Sequence, residues 1–356
     1  MFFIHNSVII ASIIPYQIKE KQPCGISKLT EHHIYLAPIR GVTDALFRNI
    51  FYNHFDGIDE AIAPFINPQT KTFFDDRMLS DVLVQNNTLK PVIPQLLHTS
   101  PEDFLALAER LADLGYNHIN WNLGCPAPMI ARKKRGSGLL PYTEEIISLL
   151  EKILPRLKIQ LSIKTRLGYE KKDELLRLLP SLNDFPLKEI IIHTRLGKQL
   201  YQGETDPEVF STCLETSNHT LVYNGDIYSR DTFRALAARF PETRRWMIGR
   251  GVLMNPFLAE EIKGAPIESA TKRLERLHAF HEDLYGQYKH RLSGPGHLLG
   301  RMKQLWQYLS ASFPAEEKIF KKIKKATSAD HYLDSVRQIF DRQAESINQA
   351  ATTSNP

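Results

Sequence analysis

Cysteine is scarce in this 356-residue chain: only Cys24, Cys125 and Cys213 occur, far apart and with no CxxC pair. That excludes a disulfide framework and gives no zinc-ligand spacing, so no metal is expected and a reducing cytoplasm is. No G-x-G-x-x-G follows the first strand-like segment, which weighs against a dinucleotide-binding Rossmann unit. The apolar first sixteen residues are too short to cross a bilayer and lack the basic start of a signal peptide. They are read as part of an irregular extension over 1–32, and no membrane partner is expected. Charge is also nearly absent as a net quantity over the first 262 residues. The overall +5 arises from Lys263 onward, where fifteen Lys/Arg stand against ten Asp/Glu. A charge excess confined to the end of a chain suggests an appendage for a polyanion; a solvated helical surface would look the same.

What is present is alternation. Short apolar segments near 34–39, 58–66, 92–97, 119–122, 159–165, 189–194, 220–224 and 246–249 read as strands. Segments of helical spacing lie between them, such as 44–55 after a Thr43 cap, 101–114 after a Ser100 cap, 144–154, 172–182 and 230–240. Near-continuous apolar strands between helices indicate a parallel sheet covered on both faces. Eight such units favour a (β/α)8 TIM barrel over 33–262. After residue 263 the strand signal stops. Helical spacing over 272–288, 297–310, 315–325 and 329–347 reads as an α-helical bundle, followed by a polar tail from 348 expected to be disordered.

In such barrels the chemistry lies at the C-terminal ends of the strands. Here those ends carry Pro38, Ile39 and Arg40; Gln95; Asn122 and Cys125; Lys164 and Arg166; His193 and Arg195; Asn224, Gly225 and Asp226; and Gly249 and Arg250. Singly, each has a plain reading: a solvated strand end, a core histidine, a turn. That many polar ends converging on one mouth are harder to assign to packing. The loops after strands seven and eight, Asn224-Gly225-Asp226 and Gly249-Arg250-Gly251, offer backbone donors and a guanidinium, which suits a phosphorylated cofactor. Gln95 and Lys164 would then reach a heteroaromatic ring. Cys125, held between Gly124 and Pro126, precedes the basic, Gly-rich stretch 131–138, read as a mobile cationic loop. A thiol there suits acid/base or nucleophilic work on an anionic substrate, and a buried structural cysteine is the alternative.

The set Ala37-Pro38, Gly41, Thr43-Asp44, Gln95, Asn122-Leu123-Gly124-Cys125-Pro126, Lys164-Thr165-Arg166, His193-Thr194-Arg195, Asn224-Gly225-Asp226 and Gly249-Arg250-Gly251 resembles the tRNA-dihydrouridine synthases. Arg301-Met302-Lys303 with Trp306 and Tyr308 resembles that family's helical domain. The resemblance implies an FMN enzyme that reduces the C5=C6 bond of uridine in tRNA, with NADPH as electron donor. It implies FMN contacts from Pro38, Ile39, Arg40, Gln95, Lys164, His193, Asn224, Gly225, Asp226, Gly249 and Arg250. Asn122, Arg166 and Arg195 would hold the substrate, and Cys125 would be the acid. The helical region 263–347 would bind tRNA, and a cytoplasmic monomer is expected. The chain departs from the family pattern at Ile39, where Met is usual, and at Ala127-Pro128-Met129, where a basic residue is common. A flavin barrel acting on a free pyrimidine would share the phosphate loops but has no use for a basic helical region. An RNA-binding protein on a degenerate barrel has no use for Cys125 and Lys164.

Overall fold

A computed structural model describes residues 32–66, 74 and 76–353. Apart from His32, the expected extension over 1–32 lies outside these residues, as does Cys24. The strands are β1 His33–Leu36, β2 Glu60–Ile62, β3 Val92–Ile93, β4 Gln95–Leu96, β5 His118–Leu123, β6 Gln160–Gly168, β7 Leu187–Leu196, β8 Leu221–Asn224 and β9 Arg245–Ile248. All neighbours pair in parallel, in the order β3-β2-β1-β9-β8-β7-β6-β5-β4. The two ends of that order, β3 and β4, are one strand interrupted by Pro94, which has no N–H to give the ladder. Ile66 bridges to Leu96, and Asn120 N donates to Pro94 O at 2.9 Å, so the sheet closes around this break. The result is the eight-unit TIM barrel read from the sequence, with its third strand split.

The outward faces of the strands and the inward faces of the helices form one apolar core that includes Trp121, Trp246 and Phe104. A smaller cluster, Ile62, Ile93, Ile191, Val222 and Met247 with Tyr35 and Ala37, fills the barrel interior. The first helix, Ala45–His54, is capped by Asp44, whose carboxylate accepts from Phe47 N at 2.9 Å, and not by Thr43 as expected. Thr43 turns inward instead, and its Oγ1 accepts from Ile39 N at 2.8 Å. That bond holds the turn after β1, which carries Pro38 to Arg40.

The helices Ala270–Arg291, Pro295–Leu309, Glu316–Lys325 and Ala329–Thr353 follow the barrel. The last runs through residue 348, past the point where a disordered tail was expected to begin. These helices dock on the loop after β1. Tyr288 Oη donates to Asp44 at 2.7 Å, Gln304 Nε2 to Arg40 O at 3.3 Å, and Arg301 to Gly41 O. On the helix Glu316–Lys325, Ile323 is buried with Ile319 and Phe320 packed beside it, while Lys318, Lys321, Lys324 and Lys325 are exposed.

Candidate active site

At the C-terminal ends of the strands lies a cavity open to solvent. Pro38, Ile39, Arg40, Gln95, Asn122, Cys125, Lys164, Arg166, His193, Asn224, Gly225, Asp226, Gly249 and Arg250 all line it. Segments far apart in sequence meet because parallel pairing sets Asn122 opposite Lys164, Arg166 opposite His193, and His193 opposite Asn224.

Arg195 is the exception to the expected set. By strict alternation it would share the inward face of His193. Between Arg166/His193 and Gly168/Leu196, however, β7 carries one residue more than β6. That bulge re-aims the side chain. Arg195, only 3% exposed, pairs with Asp226 through both carboxylate oxygens and donates to Gly203 O at 2.7 Å. It therefore supports the cavity from behind and is not among the residues that line it. Asp226 also accepts from Arg250 at 2.8 Å and from Tyr228 Oη at 2.9 Å. Partial burial opposes its charge, but the hydrogen bonds from Arg195 and Tyr228 hold its carboxyl below the ordinary range.

Cys125 sits on a turn built by its own segment. Asn122 Oδ1 accepts from Gly124 N at 3.0 Å and Cys125 N at 2.8 Å. Cys125 O accepts from Ser137 N at 3.0 Å and Ser137 Oγ at 3.1 Å. The stretch 131–138 is thus not the loose cationic loop expected. Gly136, Ser137 and Gly138 are buried in a 3-10 turn beneath Cys125, and Lys134 pairs with Glu145 at 2.7 Å. Gly136 has φ of +57°, and a Cβ there would lie 2.6 Å from Cys125 O. Gly136→Ala is expected to cost about 1–2 kcal/mol, read as a lowered thermal midpoint.

Burial raises the Cys125 thiol above its ordinary pKa, outweighing Arg166, Arg40 and Lys164, which act in the opposite sense. The thiol is a proton reservoir and a poor nucleophile in this state. Lys164 Nζ donates to Asn224 Oδ1 at 2.8 Å, and burial, reinforced by Arg166, brings it down to about 7. The same burial, with the surrounding cations, holds His193 neutral. The cavity is rich in cations and amide donors, and among the described residues its one carboxylate, Asp226, is already paired. Gly225 is required by packing, since a Cβ would lie 2.6 Å from Thr194 Oγ1. At Gly249 a Cβ would meet Ala37 Cβ at 3.3 Å and Ile39 Cδ1 at 3.6 Å, so the glycine keeps a bare floor between them. An anionic ligand with a flat polar ring fits these donors, and among the described residues no group of His, Cys, Asp or Glu could hold a metal ion.

Sequence reading missed Tyr201. Its ring lies 5.4 Å from the Arg166 guanidinium and 5.5 Å from that of Arg250, half exposed at the mouth. The signal was its place in the loop after the sixth barrel strand, on the functional end of the barrel. Also missed was the period-two pattern of His118, Asn120 and Asn122, which was read only as part of an apolar run.

A family profile described as dihydrouridine synthase (Dus) matches residues 35–345. The chain is 29% identical over 276 residues to the probable tRNA-dihydrouridine synthase of Staphylococcus epidermidis, covering 74% of this chain and 80% of that one. It is 28% identical over 277 residues to the probable tRNA-dihydrouridine synthase 2 of Bacillus subtilis, covering 76% of this chain and 83% of that one. Among solved structures, histamine dehydrogenase from Rhizobium sp. 4-9 matches with a TM-score of 0.50 at 11% identity, over 67% of this chain and 47% of that one. That likeness is one of fold. No helix among the described residues is long and apolar enough to cross a membrane.

Proposed function

The chain belongs to the dihydrouridine synthase family, and on that premise we propose that it reduces the C5=C6 bond of uridine in tRNA, using FMN, NADPH and the Cys125 thiol. The observation that carries the reading is a thiol kept protonated by burial, facing a cavity lined by Lys164 and Arg166. When bound, FMN supplies the hydride equivalent that uracil C6 accepts. Saturating the bond also needs a proton at C5, and Cys125 would give it. The thiol becomes a thiolate in that step and is reprotonated from solvent through the open mouth. Charge developing on uracil O4 would be met by Lys164 or Arg166.

Gly249, Gly225 and Arg250 would receive the FMN phosphate; Gln95, Lys164 and Asn224 would meet the ring. Asn122 and Arg166 would hold the uracil, for which Arg166 is fixed by donating to Leu196 O at 2.6 Å. A uridine in folded tRNA must leave its stack to enter such a cavity. The exposed lysines of the helix Glu316–Lys325 offer phosphate contacts for the tRNA backbone, and the enzyme would work in the cytoplasm.

Two measurements check this. Unmodified tRNA incubated with the protein and NADPH should gain two hydrogens on specific uridines by nucleoside mass spectrometry. Conversion of a free pyrimidine and not of tRNA would overturn the proposal. Separately, Lys164 at about 7 is mostly neutral at pH 8, and an anion formed on the ring it would meet favours the ammonium. Two-electron reduction of bound FMN at that pH should therefore take up more protons in the unsubstituted protein than in Lys164→Met, read as a steeper pH dependence of the flavin potential. Equal slopes would show that Lys164 does not meet the ring.

A further inference from the structure

One wall of the barrel interior is polar from the mouth to the opposite end; Ile62, Ile93, Ile191, Val222 and Met247 form an apolar cluster beside it, and Tyr35, Glu189 and Arg245 hydrogen-bond elsewhere in the interior. At the mouth, Asn122 Oδ1 takes the backbone N–H groups of Gly124 and Cys125. Asn122 Nδ2 donates to Gln95 Oε1 at 2.7 Å, and Gln95 Nε2 donates to Asn120 Oδ1 at 2.7 Å. Asn120 Nδ2 donates to Ser162 Oγ at 2.8 Å. Ser162 Oγ lies 2.8 Å from His118 Nε2, and His118 Nδ1 lies 3.2 Å from Lys188 Nζ. Gln95, Asn120 and Ser162 form one row, since Gln95 pairs with Asn120 and Asn120 with Ser162 across the sheet. His118 stands in the row below, and Lys188 reaches it at a second β7 bulge, between Leu161/Leu187 and Ile163/Ile190.

The direction of every bond in this series is fixed from its ends. Backbone N–H groups only donate, so Asn122 must present its oxygen to them and its amine to Gln95. Gln95 then must present its amine to Asn120, and Asn120 its amine to Ser162. At the far end Lys188 donates to Nδ1. Burial, with Lys188 adding to it, brings His118 down to about 4, so the ring is neutral and carries its proton on Nε2. Both sides converge on Ser162 Oγ as acceptor, and its own hydrogen is left for Ile119 O at 3.4 Å. A buried polar chain costs stability unless each group is satisfied. Here each is, and the chain ends on the backbone of the cysteine turn.

We propose that Asn120, Ser162 and His118, none of which lines the cavity, are positioning residues. They hold the amide orientations that the Gly124 and Cys125 N–H groups require of Asn122 and Gln95, and through Asn122 they keep the Cys125 turn in place. The significance of that turn rests on the proposed role of Cys125, but the arrangement can be tested without substrate.

The test is the alkylation rate of Cys125 by iodoacetamide at constant pH in flavin-free protein, resolved by peptide mass spectrometry from Cys24 and Cys213. Ser162→Ala and Asn120→Leu strand a donor in the chain and are expected to raise the rate about tenfold. Ser162→Thr, which keeps the hydroxyl, should restore it. His118→Gln, one link farther from the mouth, should give a smaller rise and serves if Ser162→Ala does not fold. Ile93→Ala, on the apolar wall, should lower the thermal midpoint at least as much and leave the rate unchanged. A Cys125 rate in Ser162→Ala equal to that of the unsubstituted protein overturns the proposal. So does an equal rise in Ile93→Ala, which would mean that general loosening exposes the thiol. Neither result depends on whether the protein reduces tRNA.

Discussion

Cys125→Ala is expected to lose at least about a hundredfold in tRNA uridine reduction while still binding FMN. General-acid groups contribute about 10²–10⁴-fold. Lys164 donates to Asn224 and would meet the flavin ring, and His193 is held neutral by burial, so the C5 proton is assigned to Cys125. The thiol of Cys125 lies above its ordinary 9.0 because it is buried. The sign follows: the reactive acid form is filled at neutral pH and persists past that value. Activity limited by this group should therefore be flat through neutral pH and fall only on the alkaline side. A variant that kept more than about a tenth of the rate would show that the proton comes from elsewhere.

Asp226→Asn is the second large effect. It leaves the Arg195 guanidinium, 3% exposed, without its counter-charge and removes a partner of Arg250. Breaking such a pair by deleting one side costs about 3 kcal/mol or more, read as a shift in the urea midpoint at neutral pH. The cavity floor at Gly225 and Arg250 should be disturbed with it, so FMN retention should fall. Despite burial, Asp226 is held below its ordinary 3.8 by Arg195 and Tyr228. A depressed carboxyl adds stability above the unfolded value, and that stability is lost as pH falls through the folded value. The gap in midpoint between the unsubstituted protein and Asp226→Asn should therefore narrow only below about pH 4. A gap that closed already near neutrality would contradict this pairing.

Most of the cavity was legible because a closed parallel barrel gathers its strand ends at one mouth. Pro38, Gln95, Asn122, Lys164, His193, Asn224 and Gly249 lie on or just after strands that short apolar runs already mark. Arg195 could not be placed this way, because one extra residue on β7 reverses the alternation and nothing in His193-Thr194-Arg195 announces a bulge. The stretch 131–138 misled through its charge. Its basic residues lie outside, but Gly136 to Gly138 go under Cys125, a consequence of backbone geometry and not of composition. Asp44 took the cap from Thr43 because the Thr43 hydroxyl is engaged by the turn after β1. The polar wall through Asn120 and Ser162 depends on the register of three strands, which one strand's sequence does not contain.

The central claim is that a uridine of tRNA takes electrons at this cavity. The direct measurement is anaerobic: FMN-loaded protein is reduced with NADPH, freed of excess donor, and mixed with unmodified tRNA while the visible flavin absorption is followed. The expected result is a prompt return of the oxidised spectrum with tRNA and none with free uridine, and a much slower return in Cys125→Ala. A reduced, FMN-bearing protein whose spectrum does not change on adding unmodified tRNA would contradict the account.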